Sequence, residues 1–184
     1  ADMKIGSIVG LMLIYFILAW VFKSWSRPLT IMIMIPFAFI GAVLGHYILG
    51  LTMSILSMFA LLALAGIVVN NSIILVSTIE RRFDDLLNDT ENSLNDQNII
   101  NEAIISGVVD RLRPVLLTSL TTIGGLSALM FEKSLQAQFL IPMAATIVFG
   151  LGVTALLVLI IVPSMIGINN DLSNFIKSLK EGNR

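Results

Sequence analysis

The apolar residues of this chain neither alternate nor keep to one helical stripe. They fill five long runs, at 5–22, 29–49, 52–79, 114–131 and 139–166. About 20 mainly apolar residues carry an α-helix across a hydrocarbon layer of about 30 Å, so each run predicts a membrane-spanning helix. The third and fifth runs exceed that minimum and are expected to tilt or to project beyond the layer. Pro36 and Pro142 are expected to kink or start the helices in which they fall, since proline has no N–H and its ring clashes with the preceding turn. The pattern predicts an all-α membrane protein with three transmembrane helices in 1–79 and two in 114–167. An odd number of spans puts the termini on opposite sides.

Residues 80–113 form the one sizeable polar link. The stretch "DDLLNDTENSLNDQN" (84–98) is rich in Asn and Asp and reads as a flexible loop. After it, Ile100, Ala103, Ile104, Gly107 and Val108 recur at helical spacing, with Asn101, Glu102 and Asp110 elsewhere on the wheel. That spacing predicts an amphipathic helix along the cytoplasmic membrane surface. The tail, 168–184, is similar, with Leu172, Phe175, Ile176 and Leu179 on one stripe and Lys177 and Lys180 off it.

Composition agrees with this pattern: 57% of residues are hydrophobic, 12% are charged and the mean hydropathy is +0.94, far from the balance of a soluble domain. A net charge of −1 offers nothing to nucleic acid. With no cysteine there is no disulfide framework or thiolate metal site, and a single histidine leaves little for an imidazole site. A Cys nucleophile is thereby excluded, a His-centred triad is disfavoured, and the chain reads as a non-enzyme without a cofactor.

Charge also assigns the sides. Lys23, Arg27, Arg81, Arg82, Arg111, Arg113, Lys177, Lys180 and Arg184 fall on one side of the five spans, and only Lys4 and Lys133 on the other. The positive-inside rule makes the first side cytoplasmic, so the N-terminus is expected outside and the C-terminus inside. Trp20, Trp25 and Tyr47 lie near span ends, where amphipathic rings favour the interface. The opening "ADMKIGS" has neither an initiator Met nor a signal-peptide pattern, and is expected to follow a preceding extracytoplasmic domain.

Polar residues inside the spans carry the candidate chemistry. "GIVVNNSIILV" (66–76) sets two carboxamides side by side in hydrocarbon, where no water can replace a missing partner. On the third span Ala63, Gly66, Asn70 and Ser77 share one small, polar face, and Asn71 points to the next sector. On the fourth, Arg111, Thr118, Thr122 and Gly125 align at spacings of seven, four and three, with Thr121 beside them. These hydroxyls are expected to face a helix partner. Interhelical hydrogen bonds of about 0.6 kcal/mol are the plain reading of such groups; polar residues at bilayer depth also mark ion and proton paths. No Asp or Glu lies within the five runs, so carboxylates for a proton path would come from elsewhere. "GAVLG" (41–45), with Gly41 and Gly45, reads as tight helix packing, as do Gly66, Thr122 and Gly125. His46 reads as an interfacial side chain and the nine Met as lipid-facing or gap-filling groups.

Four segments in order and spacing, "FKSWSRPLTIMIMIPFAFIGAVLGH", "GIVVNNSIILV", "RLRPVLLTSLTTIGGL" and "SLQAQFLIPMA", resemble the last five transmembrane helices of a resistance-nodulation-division (RND) efflux permease of the AcrB/AcrD/AcrF type. The resemblance covers nearly the whole chain. It implies the C-terminal part of a twelve-span inner-membrane permease that exports drugs or other hydrophobic compounds by proton antiport. It further implies two large periplasmic domains, a homotrimer, a periplasmic adaptor and an outer-membrane channel. On this mapping Arg111 and Thr118 match relay positions of the penultimate helix and Asn71 a polar position of the third span here. Asn70 stands where many drug exporters carry a lysine that pairs with aspartates of the first half. The implied partners are therefore membrane lipid and the N-terminal half of the same permease, and the chain alone is expected to have no transport cycle. The SecD/SecF protein-export subunits share the superfamily and an Asn-containing helix of this kind, although "SWSRP" and "SLQAQFLIP" favour the efflux branch; a non-transporting remnant is the other alternative.

The charge asymmetry is directly testable, because the chain has no native cysteine. Single cysteines at Ser134 and Asn92 should react differently with an impermeant thiol reagent in intact cells. Ser134→Cys should label from outside, and Asn92→Cys only after permeabilisation; the reverse pattern would overturn the predicted orientation.

Overall fold

The computed structural model describes residues 2–89 and 96–181, most of them in six helices. These are α1 (Asp2–Phe22), α2 (Ser26–Met32), α3 (Met34–Leu49), α4 (Ile55–Asp89), α5 (Asp96–Met130) and α6 (Leu135–Glu181). Among the described residues there is no strand. Taking α2 and α3 together, Ser26–Leu49, Ile55–Asn88, Ile99–Met130 and Leu135–Asn169 are long and apolar enough to cross a membrane, and α1 adds the shorter apolar stretch Ile8–Phe22. The first span is thus α1, the second α2 with α3, and the remaining three α4, α5 and α6.

Proline has two outcomes here. The second span breaks at Ile33, three residues before Pro36, where the ring would crowd the preceding turn. Pro142 and Pro163 instead sit inside α6, and Pro114 inside α5. Alpha6 starts before Pro142 because Ser134 caps it, its Oγ accepting the Ala137 N–H at 3.4 Å.

The polar link differs from expectation. Residues 80–89 continue α4, and 96–113 belong to one helix that runs through Pro114 to Met130. What was expected as a loop followed by a separate surface helix is therefore two helix extensions, with residues 90–95 of the loop lying outside the described residues. Tertiary pairing accounts for the difference. Arg27 Nε of α2 meets Glu80 Oε1 of α4 at 2.7 Å, and Arg82 of α4 donates from Nε to Asp110 Oδ2 of α5 at 2.8 Å. Such pairs hold polar residues in helices that composition alone would leave as loop. The tail also continues its span, as α6 extends to Glu181.

Alpha6 packs along α3, α4 and α5, and missing side chains set its approach. A methyl placed on Gly41 would lie 2.9 Å from Val153 Cβ and 3.0 Å from the Phe149 carbonyl oxygen; one on Gly45 would enter the Phe149 side chain. Gly150 answers from α6: its added Cβ would sit 3.1 Å from the Ala38 carbonyl oxygen and against Leu64 of α4. A fourth close approach, Gly107 of α5 against Ile79 of α4, leaves 3.1 Å to the Ile79 Cα. Around these crossings Ile31, Met34, Leu64, Leu75, Leu151, Val158 and Val162 are fully buried.

The turn between α3 and α4 is closed by local chemistry. Gly50 takes φ +63°, and the N–H groups of Gly50 and Leu51 return to the carbonyls of Tyr47 and His46 at 3.3 and 2.9 Å, a Schellman ending that needs a residue tolerant of positive φ. Ser54 and Ser57 then cap α4 reciprocally: the Ser57 N–H donates to Ser54 Oγ at 3.1 Å and the Ser54 N–H to Ser57 Oγ at 3.3 Å. His46 is not interfacial, as its position near a span end suggested. It is 3% exposed, with Nδ1 3.0 Å from the Ala42 carbonyl and Nε2 3.0 Å from Ser57 Oγ. A carbonyl only accepts, so Nδ1 bears the hydrogen and in the neutral ring Nε2 accepts from the Ser57 hydroxyl.

Two outcomes follow from this packing. Gly41→Leu should lower resistance to unfolding in micelles by about 1–3 kcal/mol, the cost of overpacking, whereas Gly124→Leu, with nothing within 4 Å of its added Cβ, should cost far less; equal effects would mean that the α3–α6 crossing is misplaced. In ¹⁵N-histidine NMR at alkaline pH the single His should show the Nδ1–H tautomer. Ser57→Ala should leave the Nδ1–H tautomer in place, because the Ala42 carbonyl still accepts from Nδ1, and an Nε2–H ring in the unsubstituted chain would remove the clasp.

Candidate functional site

The polar residues singled out from the sequence lie on α4 and α5, and the two helices bring few of them together. Contact is made at the arginine-rich end. There Gly107 packs on Ile79, Arg82 pairs with Asp110, and Arg111 Nε donates to Thr78 Oγ1 at 2.6 Å. The Thr78 hydroxyl donates in turn to the Ile74 carbonyl at 2.8 Å, so it is satisfied in both directions. Thr78, Arg81, Arg82, Asp85, Asp110 and Arg111 surround a recess of about 360 Å³ at this point.

Farther along the stripe the contact is not continued. Thr118 and Thr121 are exposed and donate to carbonyls of their own helix, Thr118 to Pro114 and Val115 at 3.0 and 3.1 Å, Thr121 to Leu117 and Thr118 at 3.0 Å. Thr122 is half-buried and donates to the Thr118 carbonyl at 2.9 Å. A methyl on Gly124 or Gly125 would meet nothing within 4 Å. From here α5 follows α6, with Ile123 reaching Gly152 at 3.8 Å from its added Cβ.

Alpha4 is open on the matching side. Ala63, Gly66 and Asn70 are exposed, and Gly66 has nothing within 4 Å of an added Cβ. Asn71 is half-buried, and neither carboxamide makes a side-chain hydrogen bond among the described residues. Ser77 donates to its own helix, to the Ile74 carbonyl at 3.0 Å. The expected pairing of the amide face with the hydroxyl stripe is therefore not made within this chain. The four glycines also separate: Gly41 and Gly45 are at a helix crossing, whereas Gly66 and Gly125 stand open.

Four contributors escaped the sequence reading. Thr78 receives Arg111, but the wheel alone favoured Ser77, which lies nearer the Asn70 face. Ser119 is the hydroxyl of its stretch that turns inward, 3% exposed with its Oγ unpaired among the described residues, and nothing but the identity of α5's neighbour distinguishes it from Thr118. Gly150 and Gly107 set close approaches and carried no motif. Among the described residues no group of three His, Cys, Asp or Glu could hold a metal.

Known proteins place this geometry. Residues 2–168 match the model of the AcrB/AcrD/AcrF family. The swarming motility protein SwrC of Bacillus subtilis (strain 168) is 33% identical over 161 residues, 86% of this chain and 14% of the relative. The nickel and cobalt resistance protein CnrA of Cupriavidus metallidurans is 28% identical over 145 residues, 79% of this chain and 12% of CnrA. The multidrug resistance protein MdtC of Proteus mirabilis is 31% identical, with 85% of this chain and 14% of MdtC covered. A crystal structure of a heavy metal efflux pump superposes with a TM-score of 0.72 at 26% identity, over 86% of this chain and 14% of the pump. The chain thus spans 12–14% of the length of these relatives. With a family match across the apolar helices and an all-α bundle that superposes on an efflux pump, this chain belongs to the AcrB/AcrD/AcrF family of RND transporters.

Proposed function

We propose that this chain is the C-terminal transmembrane portion of a proton-driven RND permease that exports hydrophobic compounds, and that its open polar face receives the permease's first half. Asn70 is the observation that carries this reading: a carboxamide exposed beside Gly66 and Ala63 on an otherwise apolar helix. In hydrocarbon an amide without a partner costs ~4–8 kcal/mol, so a face of this kind calls for a polar protein partner. Small residues around it let that partner's backbone come close. The acids of the relay come from the first half, because the apolar stretches of this chain contain none.

Within that relay each group has a role that its chemistry allows. Asn70 and Asn71 donate amide N–H groups to carboxylates, Arg111 supplies a fixed positive charge, and the Thr118 hydroxyl can pass a hydrogen bond along the stripe. The intact permease would be an inner-membrane homotrimer working with a periplasmic adaptor and an outer-membrane channel. In it the N-terminus of this segment is periplasmic and its C-terminus cytoplasmic.

The chain expressed alone should confer no resistance to drugs, dyes or detergents in cells lacking other pumps. Protonophore-sensitive efflux there would identify it as a complete transporter. In the intact permease Asn70→Lys should leave the amount of mature protein unchanged, since the ammonium would meet carboxylates, while Thr118→Ala should reduce proton-coupled efflux with normal assembly. If Asn70 faces lipid, the same lysine costs about 2.5–3.5 kcal/mol on insertion and the protein level falls. That fall, together with unimpaired coupling in Thr118→Ala, would overturn the relay.

A further inference from the structure

At the arginine-rich end, α2, α4, α5 and α6 leave a crevice of about 510 Å³. Its size is within the ~300–1,000 Å³ of small-molecule sites. Much of its lining is hydrocarbon, including Ile79 of α4, Ile104 of α5 and Ile166 of α6. The remainder is polar, with Arg27, Glu80 and Asp84 charged and Thr30 and Asn169 neutral. Arg27 and Glu80 pair at 2.7 Å with side chains 46% and 31% exposed, and Asp84, one turn beyond Glu80, makes no ion pair among the described residues.

One guanidinium and two carboxylates select the kind of occupant. An anion would meet excess negative charge, and a simple cation would leave the isoleucines uncovered. An amphiphile with a phosphate and a primary ammonium matches the charged and the apolar walls: the phosphate accepts from Arg27, the ammonium has three hydrogens to divide between Glu80 and Asp84, and a hydrocarbon chain covers Ile104 and Ile166. Position favours the same chemistry. The apolar run of α4 ends at Ile79 and its charged extension begins at Glu80, so the charged wall stands where a phospholipid changes from headgroup to acyl chain. We infer that this crevice is a binding site for an aminophospholipid, with the ammonium between Glu80 and Asp84, the phosphate on Arg27 and one acyl chain against Ile104 and Ile166. The inference does not depend on the relay, because none of the groups assigned to the relay, Asn70, Asn71, Arg111 and Thr118, lines the crevice.

Native mass spectrometry of the full chain, delipidated in detergent and offered one lipid at a time, tests it. Phosphatidylethanolamine should be retained about tenfold more than phosphatidylcholine, whose ammonium has no N–H, and than phosphatidylglycerol, which has no ammonium, the difference expected of one charge-assisted hydrogen bond. Asp84→Asn, at an exposed position that leaves the fold intact, should reduce that preference, since Glu80 alone then accepts from the ammonium. Ile104→Trp should lower retention of all three lipids at unchanged helical content. Equal retention of the three lipids, an undiminished preference in Asp84→Asn, or equal binding of soluble phosphoethanolamine would each overturn the site.

Discussion

Gly150 of α6 is where the α3 backbone and an α4 side chain both close on one helix. Its hydrogen stands where any side chain would strike the Ala38 carbonyl of α3, and Leu64 of α4 fills the adjoining space. Between apolar helices in lipid there is little hydrophobic drive to associate, because lipid tails are as apolar as leucine; close packing must supply the attraction. Dispersion falls steeply with separation, so that attraction exists only where backbones approach. Gly41 and Gly45 extend the approach along α3, and the fully buried Leu151, Val158 and Val162 of α6 lie beyond it. Alpha6 is consequently the spine of the bundle. Alpha1, with Phe16, Trp20 and Val21 more than half exposed, contributes little to the core beyond Leu18.

The two ends of the bundle are closed by different chemistry. At one end the chain turns in a few residues, and Gly50, Ser54, Ser57 and His46 satisfy the helix ends locally. At the other, partners come from distant sequence: Arg27 with Glu80, Arg82 with Asp110, Arg111 with Thr78, and Asn169 Nδ2 donating to Ser26 Oγ at 2.7 Å. Alpha4 takes part in both sets. It is fixed at each end and packed on Gly150 between them, and this sets the level at which Asn70 and Asn71 lie. A polar group in the middle of an anchored helix has no snorkelling route to the interface, unlike a long Lys or Arg near a helix end.

How much of this was legible depends on whether the cause is local. The five apolar runs follow from bilayer thickness, a constraint written in run length alone, and each recurs as helix, the second as α2 with α3. Pro36 and the tight packing of "GAVLG" were legible for a similar reason, since a missing N–H or a missing Cβ acts within its own turn. The helical state of 80–89 was not, because Glu80 and Arg82 owe it to Arg27 and Asp110, far along the chain. Gly107 and Gly150 belonged to no motif, and what makes them necessary is a neighbour's backbone. His46 shows the limit most clearly: its distance from the span end suggested an interface, but one serine eleven residues on made it a core residue.

Helical periodicity identifies a face and leaves its partner undetermined. Arg111, Thr118, Thr122 and Gly125 do share a sector of α5, yet only Arg111 meets α4, and the hydroxyls beyond it bond to their own backbone. A threonine that back-bonds in this way is content in lipid, since its donor is satisfied within the helix. A carboxamide is not. Asn has two donor hydrogens and a carbonyl, and Asn70 uses none of them in a side-chain hydrogen bond among the described residues. The open face is therefore asymmetric in its demand: α5 can tolerate lipid there, whereas α4 needs protein. The chain spans 12–14% of its relatives' length, and on the proposed reading the rest of such a permease meets that demand at the level of Asn70 more than along the hydroxyl stripe.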